Sequence, residues 1–203
     1  DWKCGVSVIT KGADTREGEG SGSAIMREGA GTTIDLFFTS VNGTPNESVV
    51  AHVAGKIYAD ENGVTLAGFD EVTDLFQADG IHYSSVGQNP YRDFRDPHVF
   101  VDPSSDRCFV LFEGDMPGMR GALKITDEAI GTVPPGYTVP AGGVWAAGCI
   151  GIGECISDWK NGDFTKWRLY DPLISALPVT GQTERPHVVR SEERRVGKGG
   201  RSR

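Results

Sequence analysis

The chain has 203 residues, 38% hydrophobic and 24% charged, a length that builds one sizeable core and a balance ordinary for a soluble globular protein. No apolar run approaches the roughly 20 residues that a membrane-crossing helix requires, so no membrane partner is expected. The formal net charge is −8, yet the last fourteen residues carry six basic groups against two acidic ones; the body therefore stands at −12, which repels nucleic-acid phosphates and excludes nucleic acid as a partner.

The first residues, Asp1-Trp2-Lys3-Cys4, show no basic start followed by an apolar stretch, so no secretion signal is visible in them. Ser21-Gly22-Ser23-Ala24 is a small-residue turn ahead of Ile25-Met26, with nothing nearby to make a serine nucleophile with a histidine base. Ile34 to Val41 is a β-branched and aromatic run that reads as a strand, followed by an Asn42-Gly43 turn. Val49 to Ala59 reads as a second strand and leads to Asn62-Gly63. Val99 to Val101 and Cys108 to Phe112 read as short buried strands around the turn Pro103-Ser104-Ser105-Asp106, and Cys149 to Ile156 as another. Ser157-Asp158-Trp159-Lys160 through Trp167-Arg168-Leu169, turning at Asn161-Gly162, reads as the outer hairpin of a sheet whose tryptophans cover the sheet beside it.

With 28 glycines and 11 prolines, hardly any stretch keeps a helical i, i+3, i+4 stripe. The pattern is all-β, and periodicity alone leaves sandwich, barrel and propeller open. At roughly 40 to 50 residues per blade, a propeller reading gives the chain about four blades. Four cysteines, Cys4, Cys108, Cys149 and Cys155, have no zinc spacing; Cys149 and Cys155 are candidates to pair in an oxidising compartment, with buried free thiols as the alternative. His52, His82, His98 and His187 show no metal-ligand spacing either and read as structural hydrogen-bonding residues.

Two segments carry candidate chemistry. In Phe94-Arg95-Asp96-Pro97-His98 a carboxylate stands between an arginine and a proline just before an apolar strand. Pro97 biases Asp96 towards an extended conformation and so holds the carboxylate at a strand start, and Arg95 favours its ionised form if the two side chains meet. In Gln182-Thr183-Glu184-Arg185-Pro186-His187 a second carboxylate repeats the arrangement, about two blades further on in a propeller. Two such carboxylates facing one channel suit glycoside chemistry, where an oxocarbenium-like centre is stabilised while a proton reaches the leaving oxygen. The bland alternative for either segment alone is a turn with a surface ion pair. Phe112-Glu113-Gly114-Asp115 ends a buried strand with two acids that either line a pocket or form a simple turn.

From Asp1 to Val189 the chain resembles the levansucrase and inulosucrase family, glycoside hydrolase family 68. The resemblance rests on Ser21-Gly22-Ser23-Ala24, Leu36-Phe37-Phe38-Thr39, Ala78-Asp79-Gly80, Phe94-Arg95-Asp96-Pro97-His98, Phe112-Glu113-Gly114, Gly148-Cys149-Ile150-Gly151-Ile152 and Gln182 through Val189. Glu184-Arg185-Pro186 separates it from the related invertases, whose acid/base glutamate precedes Cys-Pro. The resemblance implies a five-bladed β-propeller with an acidic central pocket, here partial, over 1–189. It also implies a secreted, monomeric enzyme that moves fructose from sucrose to water or to fructan acceptors, by retaining double displacement. Asp96 would stabilise the transition state, Glu184 would be the general acid/base, and Arg95, Ser21, Glu113 and Gln182 would contact sucrose.

The family's nucleophilic aspartate lies in a Trp-Asp-x-Trp-Pro segment upstream of the Ser-Gly-Ser-Ala turn, and nothing here matches it; the chain thus reads as starting after the nucleophile blade and as inactive by itself. Gly20 stands where the family usually has tryptophan, and Gly181 where it usually has aspartate. A non-catalytic sugar-binding propeller and an invertase-like β-fructofuranosidase are the alternatives. No cofactor is implied; a calcium ion steadying a loop is left open. The segment Arg190 to Lys198 resembles a translated sequencing adapter, so 190–203 is expected to be unrelated to the fold.

Overall fold

The computed structural model describes residues 18–27, 33–41, 48–126, 130–131 and 135–189. The Asn42-Gly43 turn, Cys4, Asp1-Trp2 and the 190–203 tail lie outside the described residues.

The first sheet runs β1 (Gly18–Met26), β2 (Thr33–Val41), β3 (Ser48–Asp60) and β4 (Gly63–Ala67) as antiparallel neighbours, with β5 (Thr73–Phe76) also pairing β3. The second runs β6 (Arg95–Asp102), β7 (Arg107–Asp115), β8 (Gly148–Cys155) and β9 (Trp167–Ser175) in sequence order. Each is an up-and-down meander of the kind that makes a propeller blade. The described residues thus hold two blades, where the sequence length suggested about four. The difference lies between β7 and β8, where the described residues of 116–147 leave the sheet and hold a 3₁₀ turn at Gly143–Trp145 but no strand, and in 77–94, which link the blades without a strand.

The registers follow the hydrophobic pattern. Asn62 and Gly63 close the β3–β4 hairpin, Gly63 taking φ 130°, which residues with a Cβ avoid. Phe112 of β7 stands opposite Gly151 of β8, where a Cβ would come within 2.3 Å of the Phe112 ring, so a glycine there makes room for the aromatic core. Phe112 lies 4.8 Å from both Phe94 and Tyr83 by ring centroids, and all three are buried. Burial of each such ring contributes about 1.5–3 kcal/mol. Tyr83 also donates its hydroxyl to Tyr170 O and accepts from Ile152 N–H, filling the gap where the β8–β9 register slips.

The blades pack through aromatic contacts. Trp167 of β9 meets Phe76 of β5 at 5.3 Å, so the tryptophan of the outer hairpin covers the neighbouring sheet as expected. Phe164 packs edge-on against Phe37 of β2 at 5.0 Å. Cys108, Cys149 and Cys155 are buried free thiols. Cys149 and Cys155 sit six residues apart on one strand, roughly 20 Å at the usual rise, which rules out their pairing.

Candidate active site

The first strands of the two blades, β1 and β6, lie against each other, tied by Val99 N–H to the Ser23 hydroxyl at 2.8 Å. After β9 the chain returns through residues 176–189 to run past the same place, so Ser21, Asp96 and Glu184 converge at one end of the blades. Asp96 opens one edge strand of the second sheet, and Glu184 follows its other edge strand. The two motifs are therefore one blade apart rather than two, because the described residues of the 116–147 excursion lengthen the sequence between them without adding a sheet.

Asp96 is held, though not in the extended conformation its proline suggested. It takes the left-handed φ of 59° where the β6–β7 register slips between Arg95 and His98, and Arg185, also before a proline, takes 53°. At such a bulge the backbone N–H has no ladder partner; that of Asp96 turns to the Thr39 hydroxyl at 2.8 Å. The Asp96 carboxylate, nearly buried, accepts Arg185 N–H at 3.1 Å.

The ion pair that adjacency suggested between Arg95 and Asp96 is not the arrangement found. Successive strand residues point to opposite faces, and Arg95 donates instead to Glu113 across the β6–β7 pair at 2.6 Å. The same guanidinium lies 3.0 Å from Asp93 and 3.6 Å from Glu184. Glu113 is fully buried and also accepts Thr183 N–H at 2.7 Å, so it joins β6, β7 and the Glu184 loop from behind. Burial pushes its carboxyl up, while Thr183 N–H and Arg95 pull it back. Burial likewise raises Asp93, opposed by Arg95. Arg95 is held above its ordinary value: burial acts against the charge, but the Glu113 hydrogen bond and the carboxylates around it outweigh that.

Two clefts, of about 530 and 370 Å³, share Ser21, Asp96 and Arg185. The smaller adds Arg95, Glu184, Thr39 and Glu19, and so gathers the two candidate carboxylates, the arginine and Ser21 around one space. The larger continues past Pro97 and Pro186 to His98 and His187, whose rings meet edge-on at 6.1 Å. Burial, and then the nearby His187, lower His98. Gln182 is exposed and its N–H donates to Thr180. Glu113 meets Arg95 and Thr183 rather than open space. Sequence reasoning missed Thr39, Asp93, Thr183 and the backbone role of Arg185, although Thr39 closes the Leu36-Phe37-Phe38-Thr39 motif and Arg185 stands in the second one. Among the described residues, no group of three or more His, Cys, Asp or Glu forms a metal cluster.

The levansucrase/invertase model of glycoside hydrolase family 68 matches residues 1–195. The chain belongs to that family. It is 45% identical over 189 residues to a levansucrase of Zymomonas mobilis, covering 93% of this chain and 44% of that protein. An extracellular sucrase of the same organism is 41% identical over 192 residues, covering 93% and 45%. Among solved structures, the catalytic domain of a β-fructofuranosidase from Microbacterium saccharophilum K-1 superposes with a TM-score of 0.73 at 32% identity, over 86% of this chain and 38% of that one. The family 68 chain spans less than half the length of these relatives, and its sheets are two blades of their kind of propeller, left unclosed.

Proposed function

We propose that the whole protein is a secreted fructosyltransferase of the levansucrase type, taking fructose from sucrose and passing it to a growing fructan or, as a side reaction, to water. The observation that carries this is the convergence of Asp96, Arg95 and Glu184 on one cleft from opposite edges of one blade. In a retaining double displacement, Glu184 protonates the glucosyl oxygen as the bond to fructose breaks, then takes a proton from the incoming hydroxyl. Its exposure suits both deliveries. Asp96 stabilises the positive charge that develops on the fructosyl ring, its carboxylate held by backbone rather than by a mobile side chain. Arg95, Ser21 and Gln182 hold sucrose, and Glu113 acts through the Arg95 it orients. No cofactor is assigned to these steps. The protein works outside the cell, a reading supported by the relative named an extracellular sucrase, and is taken to act as a monomer.

The nucleophile that would carry the fructosyl group has no counterpart in the sequence, so the 203 residues alone are expected to release no glucose from sucrose. The test is glucose release by the chain alone and by the protein carrying the sequence upstream of it. Activity in the second, lost in Asp96→Ala and in Glu184→Ala, supports the reading. Undiminished activity in either variant removes that residue from its role. The likeness to a β-fructofuranosidase favours one further comparison: free fructose equal to glucose marks hydrolysis, and a deficit of fructose marks transfer.

A further inference from the structure

We infer that Thr39 is a positioning residue for the site, its hydroxyl fixing the backbone of Asp96 to that of Ser21. The inference rests on the sucrose reading above only for its effect on turnover. Asp96 is a non-glycine residue at positive φ in a bulge, a strained conformation that persists only where its surroundings enforce it. Its N–H is buried, and a buried donor without a partner is destabilising. Thr39 supplies the partner at 2.8 Å and donates its own hydroxyl proton to Ser21 O at 3.2 Å.

The relay therefore runs Asp96 N–H to Thr39 Oγ1 and Thr39 O–H to Ser21 carbonyl, crossing from β6 to β2 to β1. It joins two blades at the two residues that both clefts share besides Arg185. Thr39 is itself buried, and a Cβ added at Gly20 would make a tight contact with the Thr39 Cβ at 3.3 Å. No other side chain is placed to orient both groups at once among the contacts described around Asp96. The Arg185 N–H holds the carboxylate from one side, and Thr39 holds the backbone from the other.

The test replaces Thr39 by valine, which keeps the shape and removes the hydroxyl, by alanine, and by serine, which restores the hydroxyl. Amide hydrogen exchange of Asp96, read by NMR on the 203-residue chain, is expected to quicken at least about tenfold in Thr39→Val and Thr39→Ala and to stay within about threefold in Thr39→Ser. In the whole protein, kcat on sucrose is expected to fall about tenfold to a hundredfold in Thr39→Val with little change in KM, and to recover in Thr39→Ser. Unchanged Asp96 exchange in the valine and alanine variants, or equal loss in the serine variant, overturns the inference. Exchange that responds as expected while even the unaltered protein ignores sucrose sinks the functional reading and leaves the positioning role standing.

Discussion

The backbone N–H of Arg185 donates to Oδ2 of Asp96 across 3.1 Å, and each of these residues stands immediately before a proline in the left-handed region. The two motifs that look alike in sequence therefore answer one another in space: the reversal at Arg185 presents the N–H, and the reversal at Asp96 presents the carboxylate. The acid is oriented by main chain from beyond the far edge of its blade, and Arg95 is left free to bind the other carboxylates.

Asp96→Asn separates the charge from the shape. Asparagine tolerates the left-handed region as aspartate does, so urea unfolding is expected to shift by less than about 1 kcal/mol. Turnover of sucrose by the whole protein is expected to fall at least about a hundredfold, because the charge facing the developing cation is gone. Full turnover in this variant would show that the carboxylate's charge has no part in the chemistry.

Arg95 and Glu113 form a pair in which one partner is fully buried. Arg95→Met leaves that carboxylate with Thr183 N–H but without its cation and is expected to destabilise the chain by about 3 kcal/mol. The double variant Arg95→Met with Glu113→Leu is expected to recover a large part of this, since the cost arises from an uncompensated buried charge. Additive losses in a chemical-denaturation cycle would mean that the two residues act independently.

The strand pattern was legible because β-branched runs and turn dipeptides are local: Ile34–Val41 became β2 and Cys108–Phe112 the centre of β7. The Gly18–Met26 strand escaped because its small residues carry no hydrophobic alternation; Gly22 is there because of what β2 places opposite it. The same limit applied at the site. Which residues matter was readable from Arg95-Asp96-Pro97 and Glu184-Arg185-Pro186. Their partners were not, because the bulge in β6 sends Arg95 to Glu113 and the Asp96 N–H to Thr39, contacts spanning 18 and 57 residues. Proline's bias towards extended backbone lost to those long-range hydrogen bonds.

Two glycines should differ sharply in their response to alanine. At Gly22 a Cβ would sit 1.9 Å from Phe37 O, a backbone atom that moves only if β1 leaves β2, and Gly22→Ala is expected to cost about 3 kcal/mol or more. At Gly181 nothing lies within 4 Å, and Gly181→Ala is expected to change stability by less than about 0.5 kcal/mol. Thermal unfolding of the two variants side by side decides this, and equal midpoints would refute the close approach of β1 to Phe37.

Asp115 makes the fold sensitive to pH. It is buried behind the site at the end of β7, accepts from Asn89 Nδ2 at 2.5 Å, and has a second oxygen, Oδ1, without a hydrogen-bond partner. Burial, and then the charge of Asp93, push its carboxyl up to about 7. The folded protein thus keeps Asp115 protonated at pH values where the unfolded chain has already released the proton. A carboxyl raised in this way contributes stability in full below its unfolded value near 3.8, and that contribution is lost as pH rises towards 7, by about 4 kcal/mol in all. Asp115→Asn keeps an acceptor for Asn89 and cannot ionise. It is expected to flatten the decline between pH 4 and 7 and to be more stable than the unaltered chain at pH 8. Urea midpoints across that range measure the effect, and parallel profiles for the two proteins would show that Asp115 ionises in the folded state as readily as in the unfolded one.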